Sequence, residues 1–111
     1  MEATVKEFKH CDVITIKGRV DSSSAPQLSA TLDKVTKDGR FKLVLEMTGL
    51  EYMSSAGFRA MLAAQRTCKR YNRGEVVLSG VPSRIQEALE LGGFTELFKT
   101  YADEVTAVGS F

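Results

Sequence analysis

Leu43-Val-Leu-Glu-Met-Thr-Gly-Leu-Glu-Tyr-Met-Ser-Ser-Ala-Gly-Phe-Arg-Ala-Met-Leu62 is the stretch on which the fold turns. Three consecutive apolar residues, Leu43, Val44 and Leu45, have the pattern of a central strand covered on both faces. A short turn follows, and then a long helix that opens on Ser54 and Ser55. A strand that feeds directly into a helix places those hydroxyls at the C-terminal edge of a sheet. Unpaired backbone N–H groups and the positive end of the helix dipole gather there, so a phosphate at that point is stabilised. Ser55 is therefore either a regulatory phosphorylation site or a helix cap.

The rest of the chain fits around this unit. Thr4 to Phe8 reads as a strand, Lys9-His-Cys-Asp12 as a turn, and Asp12 to Lys17, with Val13, Ile14 and Ile16, as the second arm of a hairpin ended by Gly18. After the polar Asp21-Ser-Ser-Ser24 segment, Ser24, Pro26 and Gln27 predict a capped helix start. Leu28, Leu32 and Val35 form that helix's inward face, and Gly39 its stop. Phe41 to Met47 is the third strand. The long helix is predicted from about Ala56 to Tyr71, closed by Asn72-Arg-Gly74. Glu75 to Ser79 is a further buried strand. Ser83 and Gln86 predict another capping box, on a helix that ends at Gly92-Gly93. Phe94, Leu97, Phe98 and Tyr101 are expected in the core, and residues 103–108 form a short capped helix. This order predicts an α/β fold: one domain over residues 1–111, a mixed four- to five-stranded sheet with an N-terminal hairpin and parallel later strands, and about four helices.

Composition narrows the function classes. Fifteen Lys and Arg against fourteen Asp and Glu give a net charge of +1, with no global attraction to nucleic acid or anionic membrane. No apolar run is long enough to span a bilayer and the N-terminus lacks a signal-peptide core, so a cytoplasmic protein without membrane insertion is expected. Cys11 and Cys68 lack metal or redox spacing and read as free thiols, Cys68 on a helix. With His10 the only histidine, neither a metal site nor a cofactor is expected. A catalytic role for Ser55 would need Gly-x-Ser-x-Gly and a base beside it. Met53 stands two residues before Ser55 and His10 lies in a distant turn, so no catalytic residue is assigned and the chain is not read as an enzyme. Walker-type and Gly-x-Gly-x-x-Gly loops are likewise missing.

With these residues in view, the chain resembles the STAS domains, and specifically the anti-sigma factor antagonists. Gly18-Arg-Val-Asp21 is similar to the family's Gly-Glu-Leu-Asp segment. Residues 43–57 are similar to its strand, linker and Asp-Ser-Ser-Gly or Asp-Ser-Thr-Gly loop. Arg73-Gly-Glu-Val-Val-Leu78, a helix and Gly92-Gly-Phe94 are similar to its closing strand and helix. The resemblance implies a protein that binds an anti-sigma factor with serine kinase activity when unphosphorylated, is switched off by phosphorylation, and is reset by a serine phosphatase. It places the phosphorylated serine on Ser55, with Ser54 the weaker candidate. It also implies a partner-binding set of Asp21, Ser54, Ser55, Ala56 and Gly57, to which helical spacing from Ser55 adds Arg59. Ser54 stands where the family usually has aspartate, Ala56 where it has serine or threonine, and Arg19 where it has an acidic residue. The other reading is a STAS module that is never phosphorylated, serving as a regulatory or scaffolding subunit of a sensor or transport complex.

Helical projection separates the two serines. Phe58, Met61, Leu62, Gln65 and Cys68 define the inward side of the long helix; Ser54 projects toward it and Ser55 toward its edge. Arg59, Arg66, Arg70 and Arg73 project as one stripe next to Ser55, suited to solvent or to an acidic protein surface. Arg59 follows Ser55 at the four-residue spacing where helix side chains meet, so it is the expected partner of a phosphate on Ser55.

Overall fold

The computed structural model describes all 111 residues, Met1–Phe111. Strand β1 (Glu2–Glu7) runs antiparallel to β2 (Asp12–Val20), from Glu2 opposite Lys17 to Glu7 opposite Asp12. Strand β3 (Lys42–Glu46) lies parallel to the first half of β2, and β5 (Glu75–Ser79) lies parallel to β3 on its other side. These are the predicted hairpin and parallel strands. Two short strands that periodicity did not announce, β4 (Leu50–Met53) and β6 (Thr100–Tyr101), bring the sheet to six.

Strand β2 does not end at Lys17 as expected. It passes through Gly18, at φ +85°, and its last residues pair with β4 across an irregularity between Gly18 and Arg19. In β4, Leu50 and Met53 are buried while Glu51 and Tyr52 are exposed, a spacing of three rather than two. That spacing hides β4 from an alternation test, which assumes an unbroken pleat.

The helices are α1 (Ala25–Lys37), α2 (Ser55–Lys69, continued by one 3-10 turn over Arg70–Asn72), α3 (Ser83–Leu91) and α4 (Glu104–Gly109). Alternate sheet residues feed two separate cores. Ile14, Ile16, Leu43, Leu45, Val76 and Leu78 face α1, α2 and α3 in the larger cluster. Val13, Val44 and Val77 point the other way and meet Ala107 of α4. The consecutive apolar residues of the central strands therefore bury on both faces, as expected. From the tail, Phe98 is buried and Phe94 stacks on Phe58 with ring centroids 5.6 Å apart, but Leu97 is 41% exposed.

Two predicted capping boxes are not formed. Ser24 precedes α1, but its Oγ accepts from the Asp21 N–H at 2.9 Å instead of from the helix. Ser83 is already the first residue of α3, behind Pro82, and Gln86 reaches forward to Glu90. Only α4 has the expected side-chain cap, with the Thr106 N–H donating to Asp103 Oδ1 at 2.8 Å.

One buried polar side chain ties α2 to the sheet. Gln65 accepts from the Val76 N–H at 2.6 Å and donates to the carbonyls of Val76 and Leu97 at 3.0 and 2.7 Å. Val76 pairs with Leu43 of β3, whereas β6 pairs with β5 only from Leu78 onward. The Gln65 amide thus occupies the gap as a peptide group would, which satisfies backbone groups that burial would otherwise leave unpaired.

Candidate functional site

The paired ends of β2 and β4 build the site. Val20 lies opposite Met53, and the Ser54 N–H donates to the Val20 carbonyl at 2.8 Å. The next residue on each strand, Asp21 and Ser54, therefore leaves the same edge of the sheet. From there one chain enters α1 and the other α2. The structure thus brings Asp21 to the same sheet edge as Ser54, more than thirty positions away in sequence.

The two serines differ as their projection predicted. Ser54 is the N-cap residue, extended at φ −79° and ψ 170°, and its Oγ is buried without a hydrogen-bond partner. Its side chain makes no capping hydrogen bond. Ser55 is the first helical residue and is exposed. The first amide held by the helix is that of Phe58, which donates to the Ser54 carbonyl at 3.2 Å. The N–H groups of Ser55, Ala56 and Gly57 precede it and lack a helical acceptor, leaving a positive helix end with no acidic residue in its first turn.

Gly57 is where the helix touches the sheet. A Cβ there would lie 2.6 Å from Met53 Cγ and 2.9 Å from Val20 Cγ1. The residue permits α2 to start directly against the two strand ends, so its role here is steric.

Asp21 is committed to its own loop. Its Oδ1 accepts from the Ser23 N–H at 3.0 Å, the Ser23 hydroxyl at 2.7 Å and the Ser24 N–H at 3.0 Å. The Ser23 hydroxyl, then the Ser24 amide, hold its pKa down at about 2. Asp21 is thus an ionised residue at the site's edge whose first task is to shape the entry to α1.

Arg59 is exposed one turn beyond Ser55, and neither it nor Arg66 or Arg70 enters an ion pair. Arg73 departs from the predicted stripe. Beyond α2 it folds back to donate to the carbonyls of Arg70 and Thr67 at 3.0 and 2.6 Å, with its guanidinium 3.8 Å from the Phe41 ring centre. It fastens the end of the helix.

A pair that sequence reasoning missed lies beside the site. The Arg19 guanidinium sits 4.5 Å from the ring centre of Tyr52, its cross-strand partner, and Tyr52 is 40% exposed. Only the pairing of β4 with β2 brings them together. The thiols offer no nucleophile: burial pushes Cys68 up to about 11 and also raises Cys11. His10 lies before the start of β2, so the nine-residue strand separates it from the Ser55 edge by roughly 25 Å, at about 3.3 Å per residue.

Comparison with known proteins agrees with this architecture. The family described as "Mlab, STAS domain" matches residues 3–99. BtrV of Bordetella bronchiseptica, assigned as an anti-sigma factor antagonist, is 29% identical over 111 residues, covering 100% of this chain and 95% of that protein. An anti-sigma factor antagonist from Mycobacterium paratuberculosis superimposes with a TM-score of 0.83 at 22% identity, covering 98% of this chain and 92% of that one. The Bacillus cell fate determinant SpoIIAA in its phosphorylated form superimposes with a TM-score of 0.77 at 16% identity, covering 98% of each chain. No helix is long and apolar enough to cross a membrane. The chain belongs to the STAS domain family.

Proposed function

We propose that this protein is an anti-sigma factor antagonist whose binding surface is switched by phosphorylation of Ser55. The observation that carries the reading is the inequality of the two serines. Ser55 is exposed at the first position of α2, beside free amide N–H groups, whereas the Ser54 hydroxyl is buried. A kinase can reach the first and not the second.

Unphosphorylated, the edge formed by Asp21, Ser54, Ser55, Ala56, Gly57 and Arg59 binds an anti-sigma factor with serine kinase activity, which frees its sigma factor. A phosphate on Ser55 adds between one and two negative charges. The N-terminal amides of α2 and the Arg59 guanidinium hold that charge. Its hydration shell and like-charge repulsion then expel the partner without a change of fold. A serine phosphatase restores the binding form. The chain is a substrate in this cycle and catalyses no step.

The test pairs the purified protein with the serine-kinase anti-sigma factors of its source organism and ATP, read by intact mass and peptide mapping. One added phosphate on Ser55 is expected. Ser55→Asp should lose partner binding, and Ser55→Ala should bind and resist switching. Absence of phosphate with every such kinase, or equal binding by both variants, refutes the switch and leaves the unphosphorylated regulatory or scaffolding module.

A further inference from the structure

At the opposite end of the sheet from Ser55, the loops before β2, β3 and β5 border a half-open cavity of about 160 Å³. Four of its lining residues are His10, Arg40, Lys42 and Arg73, and no acidic side chain lines it. That space is room for a tetrahedral oxyanion. This concentration of positive charge stands out in a chain whose net charge is only +1.

Two of the three cations, Arg40 and Arg73, are held in place by bonds to the protein itself. Arg40 donates through Nε to Asp12 Oδ1 at 2.7 Å and through Nη2 to the Phe8 carbonyl at 2.5 Å. Its Nη1 has only a loose ion pair with Glu7, at 3.8 Å. Arg73 is fixed by the Arg70 and Thr67 carbonyls and by stacking on Phe41, and its Nη1 makes no hydrogen bond. The ordering cost of both guanidiniums is therefore met by the fold before any ligand arrives, the condition under which a charged fork binds best. Lys42 and His10 are exposed, and neither makes a side-chain hydrogen bond or ion pair. Lys42 also borders a neighbouring cavity of about 490 Å³ with Lys69 and Lys99, where the single acid, Glu75, is paired to Lys99 at 3.2 Å.

We propose that this cavity is a binding site for a phosphoryl anion, gripped by Arg40 and Arg73 and closed over by Lys42 and His10. Each guanidinium offers its Nη1 as a charge-assisted donor to a phosphate oxygen, its other nitrogens being bonded to the protein. The adjoining basic cavity gives a phosphomonoester room for its organic part. The site shares no residue with the Ser55 edge and is independent of the function proposed above.

His10, the only histidine, supplies an unambiguous reporter. The full chain is titrated with inorganic phosphate at constant ionic strength, and the His10 ring and backbone amides are followed by NMR. Saturable shifts of His10, Gly39 and Lys42 are expected. Lys42→Gln should weaken binding by about tenfold or more, since one charge-assisted hydrogen bond is lost. His10→Gln, read through the Gly39 amide, should weaken it less and serves if the first variant folds poorly. Arg40 is left alone, because its removal would strand the buried Asp12. Glycerol 3-phosphate binding more tightly than phosphate identifies a phosphomonoester as the ligand; equal affinity identifies the free anion. Shifts that rise linearly and are reproduced by chloride, or that appear at residues 55–57 and spare His10, overturn the site. Unchanged affinity in both variants does the same.

Discussion

Replacing Gly57 with alanine sets two effects of opposite sign against each other at the start of α2. Gly57 lies in the first turn of α2, where alanine is favoured over glycine by roughly 0.8–1.0 kcal/mol on intrinsic helix propensity. Against that, the new methyl would sit 2.6 Å from Met53 Cγ and 2.9 Å from Val20 Cγ1. Carbon atoms pack at about 3.5–4.0 Å, so both neighbours must move by about an ångström. Both are buried, and Val20 is a β-branched residue with little rotamer freedom. Overpacking costs about 1–3 kcal/mol, and with two buried neighbours displaced the upper part of that range applies, about 2–3 kcal/mol. The steric term wins, and Gly57→Ala should destabilise the protein by about 1–2 kcal/mol in urea unfolding. For a domain of this size that is a fall in Tm of roughly 4–8 °C. The Met53 side chain is the larger obstacle, so the cost should shrink by about 1 kcal/mol when Gly57→Ala is made in a Met53→Ala background. A Gly57→Ala protein more stable than the parent would refute the close approach, as would additivity of the two changes.

Three further expectations follow from particular contacts. Ser54→Ala should change stability by less than about 0.5 kcal/mol in urea unfolding, whereas loss of a bonded capping serine costs about 1 kcal/mol; its hydroxyl is buried and unpaired, and a full capping loss would contradict that geometry. Asp21→Asn should be destabilising near neutrality and indistinguishable from the parent in strong acid. Because the folded pKa of about 2 lies below the ordinary 3.8, this carboxylate's contribution is present above pH 3.8 and lost as pH falls through about 2; a stability gap that stayed constant from pH 6 to pH 2 would contradict the loop contacts. Gln65→Leu keeps the volume but strands the Val76 and Leu97 backbone groups, so a loss of about 2–4 kcal/mol is expected, and a change under 0.5 kcal/mol would show that Gln65 does not bridge α2 to the sheet.

The elements were legible wherever a residue's position within its own segment decides its fate. Leu43-Val-Leu45 and Val76-Val-Leu78 announce central strands because both faces of each are buried, and that requirement is written in consecutive apolar residues. The exposure of Ser55 against the burial of Ser54 was readable for the same reason, since helical periodicity fixes which side of α2 each residue takes. The most specific of the three segments that carry the family resemblance, residues 43–57, is one continuous run and needed no tertiary knowledge.

What the chain did not disclose depends on contacts between distant segments. Strand β4 exists only because β2 runs on past Gly18, and the break in their register removes the alternation that marks a strand. The Arg19–Tyr52 pair and the approach of Asp21 to Ser54 follow from that pairing and from nothing local. Ser24 and Ser83 have cap-like spacing, but a hydroxyl makes one geometry at a time, and the Asp21 loop and Pro82 settled those instead. Arg73 left its helical stripe because α2 ends early and Phe41, supplied by another segment, offers its ring. Local pattern separated Ser55 from Ser54; three-dimensional packing decided what surrounds them, because neighbours across a sheet carry no shared period in the sequence.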